Sequence, residues 1–121
     1  VLAGPLAVAR TTVRSVSPGL AAIPERGLLA LCHPAGPGPW GGPDVIDRVE
    51  LVLIGADASP ATRAVEVGRG GEVRSVACGW NGRELLVVWS RSQDGREQLV
   101  ARRIALRDEA PRLLRAPARP L

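Results

Sequence analysis

Residues 85–89 read Leu-Leu-Val-Val-Trp, five apolar side chains in a row between the turn signals Asn81-Gly82 and Asp94-Gly95. An apolar run of that length between turns is expected to be a central strand buried on both faces. Asn-Gly is the strongest hairpin signal in the chain, because both residues tolerate positive φ and a two-residue turn matches the strand twist. Just upstream, 73–78 alternates, with Val73, Ser75 and Ala77 on one face and Arg74, Val76 and Cys78 on the other. Downstream, 98–106 reads as the next strand and 112–115 as a short last one. A helical face can be drawn through Leu99, Arg103 and Leu106, but Val100 and Ile104 fit a strand at least as well.

The first half of the chain follows a similar plan. A strand is expected over 6–13, ended by Ser17-Pro18-Gly19. Residues 20–23 and 28–32 then form a hairpin across Pro24-Glu25-Arg26-Gly27, and 48–54 and 62–67 are further strands. Between them, 33–47 holds four Pro and four Gly around Trp40, a composition that predicts the longest loop and no regular structure. The two halves also match in sequence. Leu28-Leu29-Ala30-Leu31-Cys32 lies 57 residues before the Leu85–Trp89 run, and Asp57-x-x-Pro60 lies 51 residues before Asp108-x-x-Pro111. Internal repetition on this scale points to solenoids, propellers or arrays. The expected fold class is all-β: an N-terminal strand and turn (1–19), one four-stranded antiparallel unit (20–67), a second (73–116), and a tail (117–121).

Composition narrows the reading. The chain has 121 residues, enough for one small domain. It is 45% hydrophobic but only 2% aromatic, so Leu, Val, Ala and Ile must fill the core around three Trp. Lys, Met, Phe and Tyr are absent. The formal charge of +4 comes from the last twenty residues, which carry six Arg against Asp108 and Glu109. A basic end of this kind usually lies on a solvated edge, and it lacks the stacking aromatics and reader motif expected for nucleic-acid binding. No apolar run approaches the roughly 20 residues of a helical membrane span.

The unit Trp80-Asn81-Gly82, Glu84-Leu85-Leu86-Val87-Val88-Trp89, Asp94-Gly95 and Val100-Ala101-Arg102-Arg103-Ile104 resembles a blade of the bacterial β-propeller repeats found in exported and cell-surface proteins. The likeness covers 73–116. The first unit keeps the spacing but lacks the Trp-Asn-Gly turn and has Cys32 where the second has Trp89. The resemblance implies two propeller-like blades, an exported or cell-surface setting, and a structural, adhesive or ligand-binding role rather than catalysis. Closure of a propeller takes four to eight blades, so the partners it implies are other blades, from copies of this chain or from other chains. The alternative it implies is a lectin-like carbohydrate or small-ligand site between blades, with Trp40 and Trp80 as platforms and Arg26, Arg83 and Glu84 as polar partners.

Little chemistry accompanies these residues. Cys32-His33 is a thiol beside an imidazole, but adjacent strand residues point to opposite faces and cannot readily share a proton, so a buried Cys followed by a loop His is expected. One His and two separated Cys make a zinc site improbable, and Asp44 and Asp47 fall short of a calcium shell. No catalytic residue, metal or cofactor is expected. Cys32 and Cys78 fit either one disulfide or two buried thiols.

Overall fold

The computed structural model describes residues 17–36, 46–55, 57, 64–107, 110–113 and 119–120. The strand expected over 6–13, together with Trp40 and Asp44, lies outside the described residues. The protein is all-β, built from two antiparallel sheets with consecutive strands as neighbours. The first sheet runs β1 (Gly19–Ile23), β2 (Leu28–Ala35), β3 (Arg48–Ile54) and β4 (Val65–Arg69). The second runs β5 (Glu72–Trp80), β6 (Glu84–Gln93), β7 (Arg96–Arg107) and β8 (Ala110–Leu113). β9 (Arg119–Pro120), which falls in the expected tail, also pairs with β7, at Val100 and Ala101.

The turns follow local chemistry. A 3-10 turn, Pro24–Arg26, links β1 to β2 and ends at Gly27, whose φ of 62° suits a residue without a side chain. Asp94 and Gly95 both have positive φ (52° and 75°) between the paired Gln93 and Arg96, which makes this a two-residue hairpin turn. The Asn81-Gly82 hairpin differs from expectation. Its closing pair is Trp80 with Leu85, and only Gly82 has positive φ, 94°. Asn81 acts through its side chain instead, its Oδ1 accepting the backbone N–H groups of Arg83 and Glu84, both at 2.9 Å.

Three local expectations are corrected. β2 continues through His33 and Pro34 to Ala35, so His33 is a buried strand residue and not a loop residue. Pro34 is tolerated because β1 ends opposite Cys32, leaving Pro34 with only β3 beside it. The simple alternation along 73–78 is broken by a bulge: Val73 faces Arg91 and Ser75 faces Ser90, so Arg74 is the extra residue. That shift turns Val73 into the core beside Val76 and Cys78. Finally, the strand expected at 62–67 is observed as Val65–Arg69, with its own register shift opposite Val49 and Glu50.

One core lies between the sheets. The first sheet contributes Ile23, Leu28, Ala30, Cys32, Val49, Leu51, Leu53 and Val67, and the second contributes Val73, Leu85, Val87, Trp89, Val100, Ile104 and Leu106. Trp89, 1% exposed, is the largest buried side chain and meets Gly68 across the interface. The 57-residue offset can be followed through this core. Ile23 and Leu28 close the first hairpin and Trp80 and Leu85 close the second, and all four face this same core. Positions related by that offset therefore meet like face to like face, as in a sandwich. Blades related by rotation about a propeller axis stack unlike faces.

Candidate functional site: the outer face of the second sheet

With its inner face covered, the second sheet presents its outer face in three cross-strand rows. Ser75, Ser90 and Leu99 form one row, Ala77, Val88 and Ala101 the middle row, and Gly79, Leu86 and Arg103 the third. The middle row is made of small or β-branched apolar residues, so the surface is flat and two sheets could approach closely on it. Leu86 and Leu99 stand up on either side, 46% and 50% exposed. The expected burial of β6 on both faces thus holds for the inner residues Leu85, Val87 and Trp89 but not for Leu86.

The rims are polar and internally satisfied. At one end the Ser75 and Ser90 hydroxyls are 2.6 Å apart. At the other, Arg103 donates to both oxygens of Glu84, from Nε at 2.9 Å and Nη2 at 3.1 Å. That hydrogen-bonded carboxylate raises the already high pKa of the Arg103 guanidinium.

Two shallow grooves flank this ion pair. The larger, about 370 Å³, is lined by Gly79, Trp80, Asn81, Glu84, Leu86 and Arg103. The smaller, about 320 Å³, is lined by Asn81, Arg83, Glu84, Arg103 and Ala105. Three of the residues proposed from sequence, Trp80, Arg83 and Glu84, therefore gather at one end of the sheet. Arg26 does not join them: its Nη2 donates to the Leu106 carbonyl at 3.2 Å. Trp80 is half-buried against the core, and its indole N–H donates to Glu25 Oε2 at 2.7 Å. Glu25 and Arg26 both serve to tie the first hairpin turn to the second sheet.

Sequence reasoning missed Arg103, Leu86 and Leu99 as surface residues. The uninterrupted apolar run of β6 was a usable signal for Leu86, since a strand apolar on both faces needs cover on both. Arg103 carried no local signal, because its pairing with Glu84 depends on the β6–β7 register.

The first sheet holds the other polar cluster. His33 is 3% exposed, with Nδ1 3.3 Å from the Pro34 carbonyl and Nε2 3.8 Å from Glu50 Oε2. Glu50 in turn accepts from Arg48 Nε at 2.9 Å. His33 lies on the face opposite Cys32, so the two do not form a nucleophile and base. Among the described residues no group of three or more His, Cys, Asp or Glu side chains is placed to hold a metal, and no helix is long and apolar enough to cross a membrane.

The fold and this surface define an all-β protein of two stacked antiparallel sheets, the second with an open, flat, largely apolar outer face. Comparison of the chain with protein-family models, curated proteins and solved structures gave no match.

Proposed function

We propose that the chain is a non-catalytic structural and interaction module that docks another antiparallel sheet, foremost that of a second copy, on the outer face of β5–β7. The observation that carries this reading is the pair of half-exposed leucines, Leu86 and Leu99, flanking the Ala77, Val88 and Ala101 row. Full burial of a leucine contributes about 1.5–3 kcal/mol, so covering the exposed half of both would contribute roughly 2 kcal/mol. Three strands about 4.8 Å apart, with a rise of about 3.4 Å per residue, give the face an area on the order of 300 Å². That is below the roughly 800 Å² per partner of a stable complex, so self-association through this face alone is weak and concentration-dependent.

Light scattering coupled to size exclusion tests the reading. The wild type at roughly 100 µM, a concentration suited to weak association, is expected to exceed the monomer mass, and Leu86→Arg to run as a folded monomer. A wild type that remains monomeric across that range, or a Leu86→Arg variant that associates equally well, would overturn self-docking.

A second reading, glycan or small-ligand binding, draws on the grooves beside Trp80, Glu84 and Arg103. The polar groups there are already paired: Trp80 with Glu25, Glu84 with Arg103, and Asn81 with backbone N–H groups. A ligand would have to displace those pairs, and this favours the docking reading. Retention on a glycan matrix that is lost in Trp80→Ala with the fold retained would reverse the preference.

A further inference from the structure

We propose that Cys32 and Cys78 form one covalent site, a dithiol that closes into a disulfide and staples the two sheets together through the core. The two residues are 46 positions apart in the sequence and lie on different sheets, Cys32 in β2 and Cys78 in β5. Three observations bring them together. Both side chains face the shared core, Cys32 within it and Cys78 packed against it. Gly19 is the register partner of Cys32, and a Cβ on Gly19 would sit 3.0 Å from both Ala77 Cα and the Cys78 amide nitrogen. The absence of a side chain at position 19 is therefore what lets the β5 backbone cross beside Cys32. Each thiol is also the largest influence on the other's acidity, as expected of neighbours, and both are free.

The environment assigns an order to the two sulfurs. Cys78 is half-buried, and the hydrogen bond it accepts from Cys32 lowers its pKa against the opposing effect of burial. Cys32 is fully buried, and that same hydrogen bond together with burial pushes its pKa up. Cys78, the more exposed of the two, is the sulfur that a small oxidant meets first, and the one that ionises more readily. With a low-molecular-weight disulfide as oxidant, the Cys78 thiolate attacks one of its sulfurs, the oxidant's S–S bond breaks, and one small thiolate leaves. Cys32 then gives up its proton to solvent and attacks the Cys78 sulfur, expelling the second small thiolate. The protein loses two electrons and two protons, and one small disulfide becomes two thiols.

The test equilibrates the whole chain with excess oxidised glutathione, blocks residual thiols with N-ethylmaleimide, and reads intact mass and the non-reduced tryptic map. The expected product is an unlabelled monomer, lighter than the reduced chain by about 2 Da, in which the tryptic fragments 27–48 and 75–83 are joined. Its thermal midpoint is expected to rise by about 10 °C. Cys32→Ser is expected to stop at a glutathione adduct on Cys78, and Cys78→Ser to leave Cys32 unmodified while folded. Two maleimide labels on the wild type, a glutathione adduct that never resolves, or a cross-link between chains would each overturn the proposal. The wild-type result decides the matter even where a variant fails to fold. The site lies on the face of β5 opposite the docking surface, so its outcome is independent of the self-association measurement.

Discussion

Gly68→Ala is a one-carbon change with a large expected effect. Gly68 sits in β4 opposite Val49, and its backbone is not in the positive-φ region, so alanine strains nothing locally. The obstacle is across the interface. A Cβ at position 68 would overlap the six-membered ring of Trp89. That ring is 1% exposed and enclosed by the core, so it has no free rotamer to retreat into. Overpacking of this kind costs about 1–3 kcal/mol. An upper-range cost of about 3 kcal/mol is expected here, because an indole moves only as a whole and both sheets would have to separate. Such a loss lowers the melting temperature by roughly 10 °C and leaves a folded protein if total stability lies in the usual range of about 5–15 kcal/mol. The assay is urea unfolding of wild type, Gly68→Ala, Trp89→Leu and the double variant, followed by far-ultraviolet circular dichroism because Trp89 is itself changed. Trp89→Leu should cost about 3 kcal/mol from the cavity left behind. In the double variant the new methyl occupies part of that cavity, and the summed costs should be undercut by about 1–2 kcal/mol. Strict additivity, or a Gly68→Ala cost below about 0.5 kcal/mol, would refute the claim that ring and backbone are in direct contact.

Other consequences follow from single contacts. In the reduced protein Cys32 holds its proton above the ordinary thiol value of 9.0 while the unfolded chain releases it. The folded state then binds more protons, so stability should fall as pH rises past that value. Cys78 is shifted the opposite way and offsets this below that value, so denaturation midpoints compared at about pH 9.5 and 10.5 should show the loss in the reduced form and lack it in the oxidised form. The disulfide should itself add about 4 kcal/mol, given its 46-residue separation, as measured by urea unfolding of oxidised against reduced chain. Asn81→Ala removes the acceptor for two turn N–H groups and should cost about 1 kcal/mol by the same measurement, while Asn81→Asp should recover most of it. Arg102 lies on the inner face opposite Val87 and donates to the Val67 carbonyl at 3.0 Å, but its Nε is buried without a hydrogen-bonding partner among the described residues. Arg102→Met, which keeps the stem and removes the charge, should be neutral within about 1 kcal/mol, whereas Arg102→Ala should cost about 2 kcal/mol through lost packing.

The strand plan was legible because it is local. Alternation and apolar runs placed β2, β3, β5, β6 and β7 near their observed positions, and Asp94-Gly95 marked its turn. The 57-residue offset relates the closing pair of one hairpin, Ile23 with Leu28, to that of another, Trp80 with Leu85. The misreadings arose where geometry depends on a neighbour. Nothing in Val73-Arg74-Ser75 reveals that Arg74 is the extra residue of a bulge, because a bulge is defined by the strand opposite. Pro34 reads as a strand breaker unless it is known that β1 has already ended.

The candidate site divides in the same way. Sequence periodicity determines which side chains share a face of a strand, since that follows from a two-residue repeat of the backbone. It cannot determine which faces meet, because that is settled by sheet twist and by contacts between residues far apart in the chain. Trp80 was singled out from its motif, yet its partner Glu25 lies 55 residues away, and Arg103 reaches Glu84 only through the β6–β7 register. The sequence by itself determined an all-β chain of antiparallel strands with apolar runs at β2 and β6. Only the tertiary structure decided that like faces meet, that Gly19 and Gly68 admit β5 and Trp89, that Cys32 and Cys78 face one core, and that Leu86 and Leu99 are left on an open surface. Those outcomes depend on close packing between distant segments, which no local pattern encodes.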